Sequence, residues 1–400
     1  MSSMLPSAVR QGRRGAASTL FALVGLVGLA LLGLGACSAF GGEDGEPEIS
    51  AADAGGSDVA TGETSSPVDA SVEAEASPCD LALLKTDKLN CGACGHRCET
   101  SCNDGMCEPL PMGASLNLPL DAHFVVDDRA IFVSDKFNVY QCDNPSFGES
   151  CNWNNVTNND TSSLVAPSPM ALSPKRLFWS AAGSALGSPS SLWSRPREGV
   201  MIAGTQSDAP AAFALGTNGG ATTVVLIDST NARTVYTITC DDKTCGYPAS
   251  IGQSGRAVAG SGSRVCYLGT FGQGAFGLMC NPGSSAGPLI VKVDQDSVGL
   301  TVGGDAVFVV SPEGVSTLPQ SAATLQQLGK VGGTGPIAAD ANNIYFASLY
   351  TIYRCSRTDC SAPTKISDRF GKTVMELGVG GDYVYFLESD GTPSLLRIPK

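Results

Sequence analysis

Histidine is almost missing from this chain: His96 and His123 are the only two among 400 residues. Imidazole is the side chain whose charge changes near neutral pH, and it is the usual general base of an active site. Two separated copies exclude the histidine-rich metal sites and histidine-paired nucleophiles on which many hydrolases depend. His96 falls among cysteines and His123 on an inner-strand segment, so both read as structural. Charged residues are also few, at 16%, and nothing in their distribution forms a basic footprint for nucleic acid. Tryptophan is limited to Trp153, Trp179 and Trp193. Phe178-Trp179 reads as core, which leaves Trp153 and Trp193 as candidate contacts for a glycan or peptide. From these absences we expect no catalytic residues, no metal site and no cofactor.

Glycine, in contrast, is abundant at 48 of 400 residues, too much for a helical bundle. It recurs in a repeat. Leu300-Thr-Val-Gly-Gly-Asp305-Ala-Val-Phe-Val-Val310 lies over Leu377-Gly-Val-Gly-Gly-Asp382-Tyr-Val-Tyr-Phe-Leu387. The same unit, two apolar strands around a Gly/Asp/Asn turn, begins at His123, Met170, Ala257 and Pro336, with a looser copy at Phe213. Strand-built repeats near forty residues mark a propeller, whose blades bury their faces only by stacking around an axis. Seven copies predict an all-β, seven-bladed β-propeller over 113–400. The last copy lacks an outer strand, and the alternating Ala114–Leu120 is the candidate to supply it from the other end. Asp127, Asp128, Asp305, Asp340 and Asp382 recur at matching positions and read as turn formers; the other reading is a calcium-lined channel.

The first 36 residues differ from the rest. Arg10, Arg13 and Arg14 precede an uncharged apolar run from Leu20 to Leu34, followed by Gly-Ala-Cys37. This is the pattern of an export signal; the uncharged stretch is also long enough for a membrane-spanning anchor. Leu34-Gly-Ala-Cys37 resembles the lipobox of bacterial lipoproteins. The resemblance implies cleavage before Cys37, lipidation of its thiol and, with Ser38 next, an outer-membrane address. Residues 37–78 then hold ten carboxylates and no Lys or Arg, the composition of a disordered, extended tether. Removing the three leader arginines takes the net charge from −13 to −16. Ten of those negative charges belong to the tether, leaving −6 for residues 79–400. The low isoelectric point is therefore no evidence for a basic partner.

Cysteine numbers fifteen. With Cys37 assigned to lipid, fourteen remain, enough for seven bridges in an oxidising compartment. Cys142, Cys240, Cys280 and Cys355 each end the third strand of a repeat. Three have a partner just downstream, and Cys266 lies across a hairpin from Cys280. The expected bridges are Cys142–Cys151, Cys240–Cys245, Cys266–Cys280 and Cys355–Cys360, worth about 2 kcal/mol each. The other six, Cys79, Cys91, Cys94, Cys98, Cys102 and Cys107, form a block at 79–109 too small for a core of its own. Its Asn90-Cys-Gly-Ala-Cys-Gly and terminal Cys102-Asn-Asp-Gly-Met-Cys107 resemble the small cysteine-rich repeats of stigma-specific-type proteins and of exported myxobacterial proteins. A zinc clip of Cys91, Cys94, Cys98 and His96 is the alternative. The sequence thus leads to a lipid-anchored envelope protein whose propeller, monomeric, binds an unidentified protein or glycan without catalysis. Two alternatives stand beside it: a metal-dependent propeller hydrolase or lyase, and a structural scaffold of an envelope complex.

Overall fold

The protein is described here by a computed structural model. It describes residues 79–400 apart from 114–115, 136–137, 158–168, 174–175, 182–189, 197–201, 208–209, 219–220, 229–232, 241–245, 247–248, 272–273 and 282–288. The fold is all-β with a propeller arrangement. Its sheets are antiparallel meanders in which each strand pairs with the next in sequence. The first sheet runs Phe124–Val126, Ala130–Ser134, Val139–Asp143 and Asn154–Asn155, and the second begins at Met170–Leu172. Two later four-stranded sheets begin at Gly299–Gly303 and Ile337–Ala339. The last consists of Thr373–Gly380, Tyr383–Ser389, Pro393–Pro399 and the distant segment Leu110–Pro111. Inner strands of successive sheets lie side by side, and Thr373–Gly380 returns against Phe124–Val126 to complete a ring.

The sheet count differs from the sequence expectation. Six sheets, not seven, surround the ring among the described residues, and one of them has seven strands. The join is Ala249–Ser261, whose early residues pair with Val235–Cys240 and whose later residues pair with Arg264–Phe271. Thirteen residues without a turn keep two repeats hydrogen-bonded as one sheet.

Second strands explain why the repeat is so apolar. All five residues of Ala130–Ser134 and five of the six in Ala306–Ser311 are buried, because a different sheet packs on each face: Val307 and Val309 face Leu268 and Leu278, while Phe308 and Val310 face Ile344 and Phe346. Phe308 and Phe346, for example, meet between adjacent sheets. Each such side chain, fully removed from water, contributes about 1.5–3 kcal/mol.

Two kinds of turn join inner to second strands. Gly303 pairs with Ala306 and Gly380 with Tyr383 across two-residue turns that begin at Gly304 (φ 57°) and Gly381 (φ 53°), a left-handed conformation suited to tight hairpins. Elsewhere aspartate supplies the turn. Asp127 Oδ1 accepts from the N–H of Arg129 (2.9 Å) and Ala130 (3.1 Å), and Asp340 Oδ1 from Asn342 and Asn343 (2.8 Å each). Asp127 and Asp340 therefore act in these turns as expected.

The cysteine module is held by bridges Cys79–Cys94, Cys91–Cys102 and Cys98–Cys107. Its regular elements are a single 3₁₀ turn, Leu81–Leu83, and the hairpin Cys102–Asn103/Met106–Cys107. The sulfurs of Cys91, Cys98 and Cys107 form its buried centre. The zinc alternative is overturned, since Cys91, Cys94 and Cys98 are all oxidised and offer no thiolate. Bridges Cys142–Cys151, Cys266–Cys280 and Cys355–Cys360 are present as the spacing indicates. Cys240 is also disulfide-bonded, while its expected partner Cys245 lies outside the described residues, as do Cys37 and the tether.

Ring closure comes from the expected end of the domain but from a different strand. Leu110–Pro111 pairs with Arg397 and Leu396, and the Met112 N–H donates to the Leu395 carbonyl (2.8 Å). Of the expected Ala114–Leu120, residues 116–120 do not enter the ladder, and 114–115 lie outside the described residues. Turns from Gly113 to Leu116 and from Pro119 to Ala122 bend it away, and Pro119 has no N–H to give. The apolar alternation there serves packing instead: Leu116 and Leu118 pack with Tyr385, Leu387 and Leu395 in the seam. Among the described residues no helix is long and apolar enough to cross a membrane.

Candidate functional site

The module docks against the propeller through one buried ion pair. The side chains of Glu99 and Arg397 are 2% and 0% exposed. The Arg397 guanidinium meets both Glu99 oxygens and also donates to the carbonyls of Pro145 (3.0 Å), Ser146 (3.2 Å) and Glu149 (2.9 Å). Its face lies 4.3 Å from the Tyr383 ring centroid. Glu99 accepts further from the Gly148 N–H (2.8 Å) and the Tyr383 hydroxyl (3.2 Å). Module, first sheet and last sheet thus meet at one satisfied charge pair, the condition under which burying it is tolerable.

Docking leaves a cleft of about 350 Å³ between the module and the outer strand Thr364–Asp368. The module side is the loop Cys91–His96. It folds back through Cys91 N–H to His96 O (2.8 Å), with Gly92 and Gly95 left-handed at φ 73° and 76°. A Cβ on Gly92 would stand 2.4 Å from the Gly105 carbonyl oxygen, so the loop needs glycine there. The propeller side contributes Arg354, Lys365 and Lys400. Every charged side chain lining the cleft is basic. Asp368 and Asp340, which contact Lys365 (2.6 Å) and Lys400 (3.1 Å), are not in the lining. Arg354 has no carboxylate within ion-pair distance among the described residues. His96 holds its ring by Nδ1 on the Cys91 carbonyl (2.6 Å), which makes Nδ1 the donor, while the buried Nε2 has no partner.

A second arrangement lies in the ring. His123, just before Phe124–Val126, bonds through Nδ1 to Glu376 Oε1 on the last inner strand, and Glu376 Oε2 accepts the Phe124 N–H (2.8 Å). A bulge at Met375 turns Glu376 toward this contact. Burial pulls the imidazole pKa down, but the Glu376 carboxylate, with Asp121 beyond it, outweighs that and leaves His123 above the ordinary histidine value. The nearby Ser134 hydroxyl is engaged by the His123 backbone rather than its ring.

The aromatic candidates separate clearly. Trp153 is half-buried in the closure seam, with its indole N–H spent on the Met112 carbonyl (2.9 Å); this position serves closure more than presentation. Phe178 and Trp179 are core. The backbone of Trp193 pairs with Trp179, and its side chain lies outside what is described. Sequence reasoning missed Glu99, Arg354, Lys365, Glu376, Arg397 and Lys400. They are dispersed over 300 positions, and only docking of the module brings several of them together. It also passed over Gly283-Ser-Ser-Ala-Gly287, which has nucleophile-elbow spacing. That motif requires a strand-turn-helix context; here it falls between two paired strands, outside the described residues.

No protein-family model matches the chain, and no curated protein matches it. Among solved structures it is similar to PorZ, a bacterial surface component of the type-IX secretion system of Porphyromonas gingivalis, at 12% identity and a TM-score of 0.47. That match covers 69% of this chain and 38% of PorZ. It is also similar to the WD40 domain of Neurospora crassa Pan2 (9% identity, TM-score 0.48, 69% of this chain and 88% of that one). A chain of the mitotic checkpoint complex matches at 12% identity and a TM-score of 0.49, covering 73% and 95%.

Proposed function

We propose that this is an exported lipoprotein, anchored to the outer membrane through Cys37, that acts as a non-catalytic binding module. In this reading the seven-stranded sheet is two blades sharing Ala249–Ser261, so that the propeller has seven. Seven inner strands in lateral contact and seven copies of the repeat support that count. The observation that carries the functional reading is the cleft between module and propeller. It is built by two parts of the chain, held in place by the Glu99–Arg397 pair, and lined by basic groups alone among its charged residues. A concave site with a few convergent polar groups is where ligands bind. The alternative of a propeller hydrolase has one foothold, the His123–Glu376 pair, which brings no nucleophile with it.

The test compares the oxidised full chain with Arg354→Glu/Lys365→Glu, both immobilised and exposed to envelope extract. A saturable protein or glycan retained by the first and lost by the second supports the reading. Equal recovery by both, or turnover of a small-ester panel, sinks it. Lipid labelling tests the anchor independently: cells fed a labelled fatty acid should incorporate it into the full chain and not into Cys37→Ser.

A further inference from the structure

A different cleft, of about 430 Å³, lies where Ala249–Ser261 passes from one repeat to the next, and it is lined by Arg233, Ser254, Arg256 and Val298. Three features of the backbone there are unusual together. Gln253 pairs with Thr270 and Ala257 with Leu268, so four steps on one strand face two on the other, a wide bulge spanning 254–256. Arg233 and Ser254 have left-handed backbones at φ 46° and 51°, a conformation that side-chain-bearing residues adopt at a cost and that clusters at functional sites. The two are braced across the bulge: Gly255 N–H donates to Arg233 O (3.0 Å) and Arg233 Nε donates to Gly255 O (2.6 Å).

The result is a pair of held guanidinium groups at one cleft. Arg256 is placed over the Phe276 ring, 4.8 Å from its centroid, and donates to the Gln295 carbonyl. Arg233 is fixed through Nε, which leaves its terminal nitrogens for other partners. Among the described residues neither guanidinium has a carboxylate within ion-pair distance, although Asp294 and Asp296 flank Gln295 and Asp228 precedes the Arg233 segment. Asp228 accepts from the Thr234 N–H and Asp294 from the Asp296 N–H. Planar guanidinium forks suit the oxygens of phosphate, sulfate and carboxylate groups. We infer that this bulge is an oxyanion site, in which Arg233 and Arg256 together hold one phosphate, sulfate or carboxylate group of a ligand, independently of the cleft at the cysteine module.

The experiment is a titration of the full chain, labelled at arginine Nε, with sodium phosphate, sulfate and acetate, each against chloride at matched ionic strength. The Arg233 and Arg256 resonances are expected to move together and saturate with at least one oxyanion, and the anion that saturates at the lowest concentration identifies the group. Arg233→Asn, which tolerates the left-handed backbone, should weaken the Arg256 response at least about tenfold, equivalent to 1.4 kcal/mol. Arg256→Lys keeps the charge and loses the fork, and should weaken the Arg233 response likewise. Movement that tracks ionic strength alone, or an Arg256 response unchanged in a folded Arg233→Asn chain, would overturn the proposal.

Discussion

The Arg397 guanidinium closes on the Glu99 carboxylate across 298 positions of sequence, at full burial, and ties the cysteine module to the last sheet of the ring. Removing one partner would strand the other in a water-free site, which costs about 3–5 kcal/mol. We expect Arg397→Met to lower the unfolding free energy by that amount, read as a fall in the denaturant midpoint. The double variant Glu99→Leu/Arg397→Met should recover part of the loss without reaching the parent, because the carbonyls of Pro145, Ser146 and Glu149 would still lack their donor. Chemical unfolding of the four chains of this cycle gives the coupling directly, and a coupling near zero would show that the pair does not fasten the module.

Closure by the segment just after the module makes a second expectation. A chain beginning at residue 113 loses Glu99 and Leu110–Pro111 together and leaves Pro393–Pro399 as an open edge. Unpaired edges template association, so such a chain should elute as oligomers or aggregate in size-exclusion chromatography with light scattering. A monodisperse monomer with the parent's unfolding midpoint would refute the closing role.

Local patterning made most of the fold legible beforehand. Alternation at Val302–Val310 and Val379–Leu387 reports strands, Gly304 and Gly381 report the turn, and cysteines at third-strand ends report local bridges, because each of these depends on neighbours within about twenty residues. What could not be read depends on distant contacts. Ala114–Leu120 alternates like a strand, yet whether alternating residues join a ladder or fill a seam depends on the space left between first and last sheets. Arg354 and Lys365 carry no motif; they come to line one cleft only because Thr364–Asp368 is the strand on which the module lands. The continuity of Ala249–Ser261 was likewise hidden, since a bulge at 254–256 carries one strand on from the first repeat into the next.

Repeat-equivalent glycines should differ in their tolerance of alanine. Gly303 and Gly380 each end an inner strand at the same place in the unit. A Cβ on Gly303 would meet the Ala339 Cβ at 3.0 Å, whereas one on Gly380 would stand 2.3 Å from the Asp127 carbonyl oxygen and 2.8 Å from Val126 Cγ2. A backbone oxygen cannot swing aside, so Gly380→Ala must push the closing seam apart. We expect it to destabilise by about 1–3 kcal/mol and Gly303→Ala by clearly less, as read from thermal midpoints. Equal effects would mean that the seam between first and last sheets is as yielding as any other.

The His123–Glu376 contact spans that same seam and should make its strength depend on pH. His123 is raised in the folded chain above its value in the unfolded one, which lies near pH 6.5. Protons are therefore bound more tightly when folded. The stabilisation is fully present below about pH 6.5 and is lost as pH rises through the folded-state value. Glu376→Gln removes the charge while keeping an acceptor for the Phe124 N–H. The stability difference between parent and Glu376→Gln should be largest at pH 5.5 and shrink steadily toward pH 9. A difference that stayed constant between pH 5.5 and 9 would mean that Glu376 acts through its bond to Phe124 and not through the charge on His123.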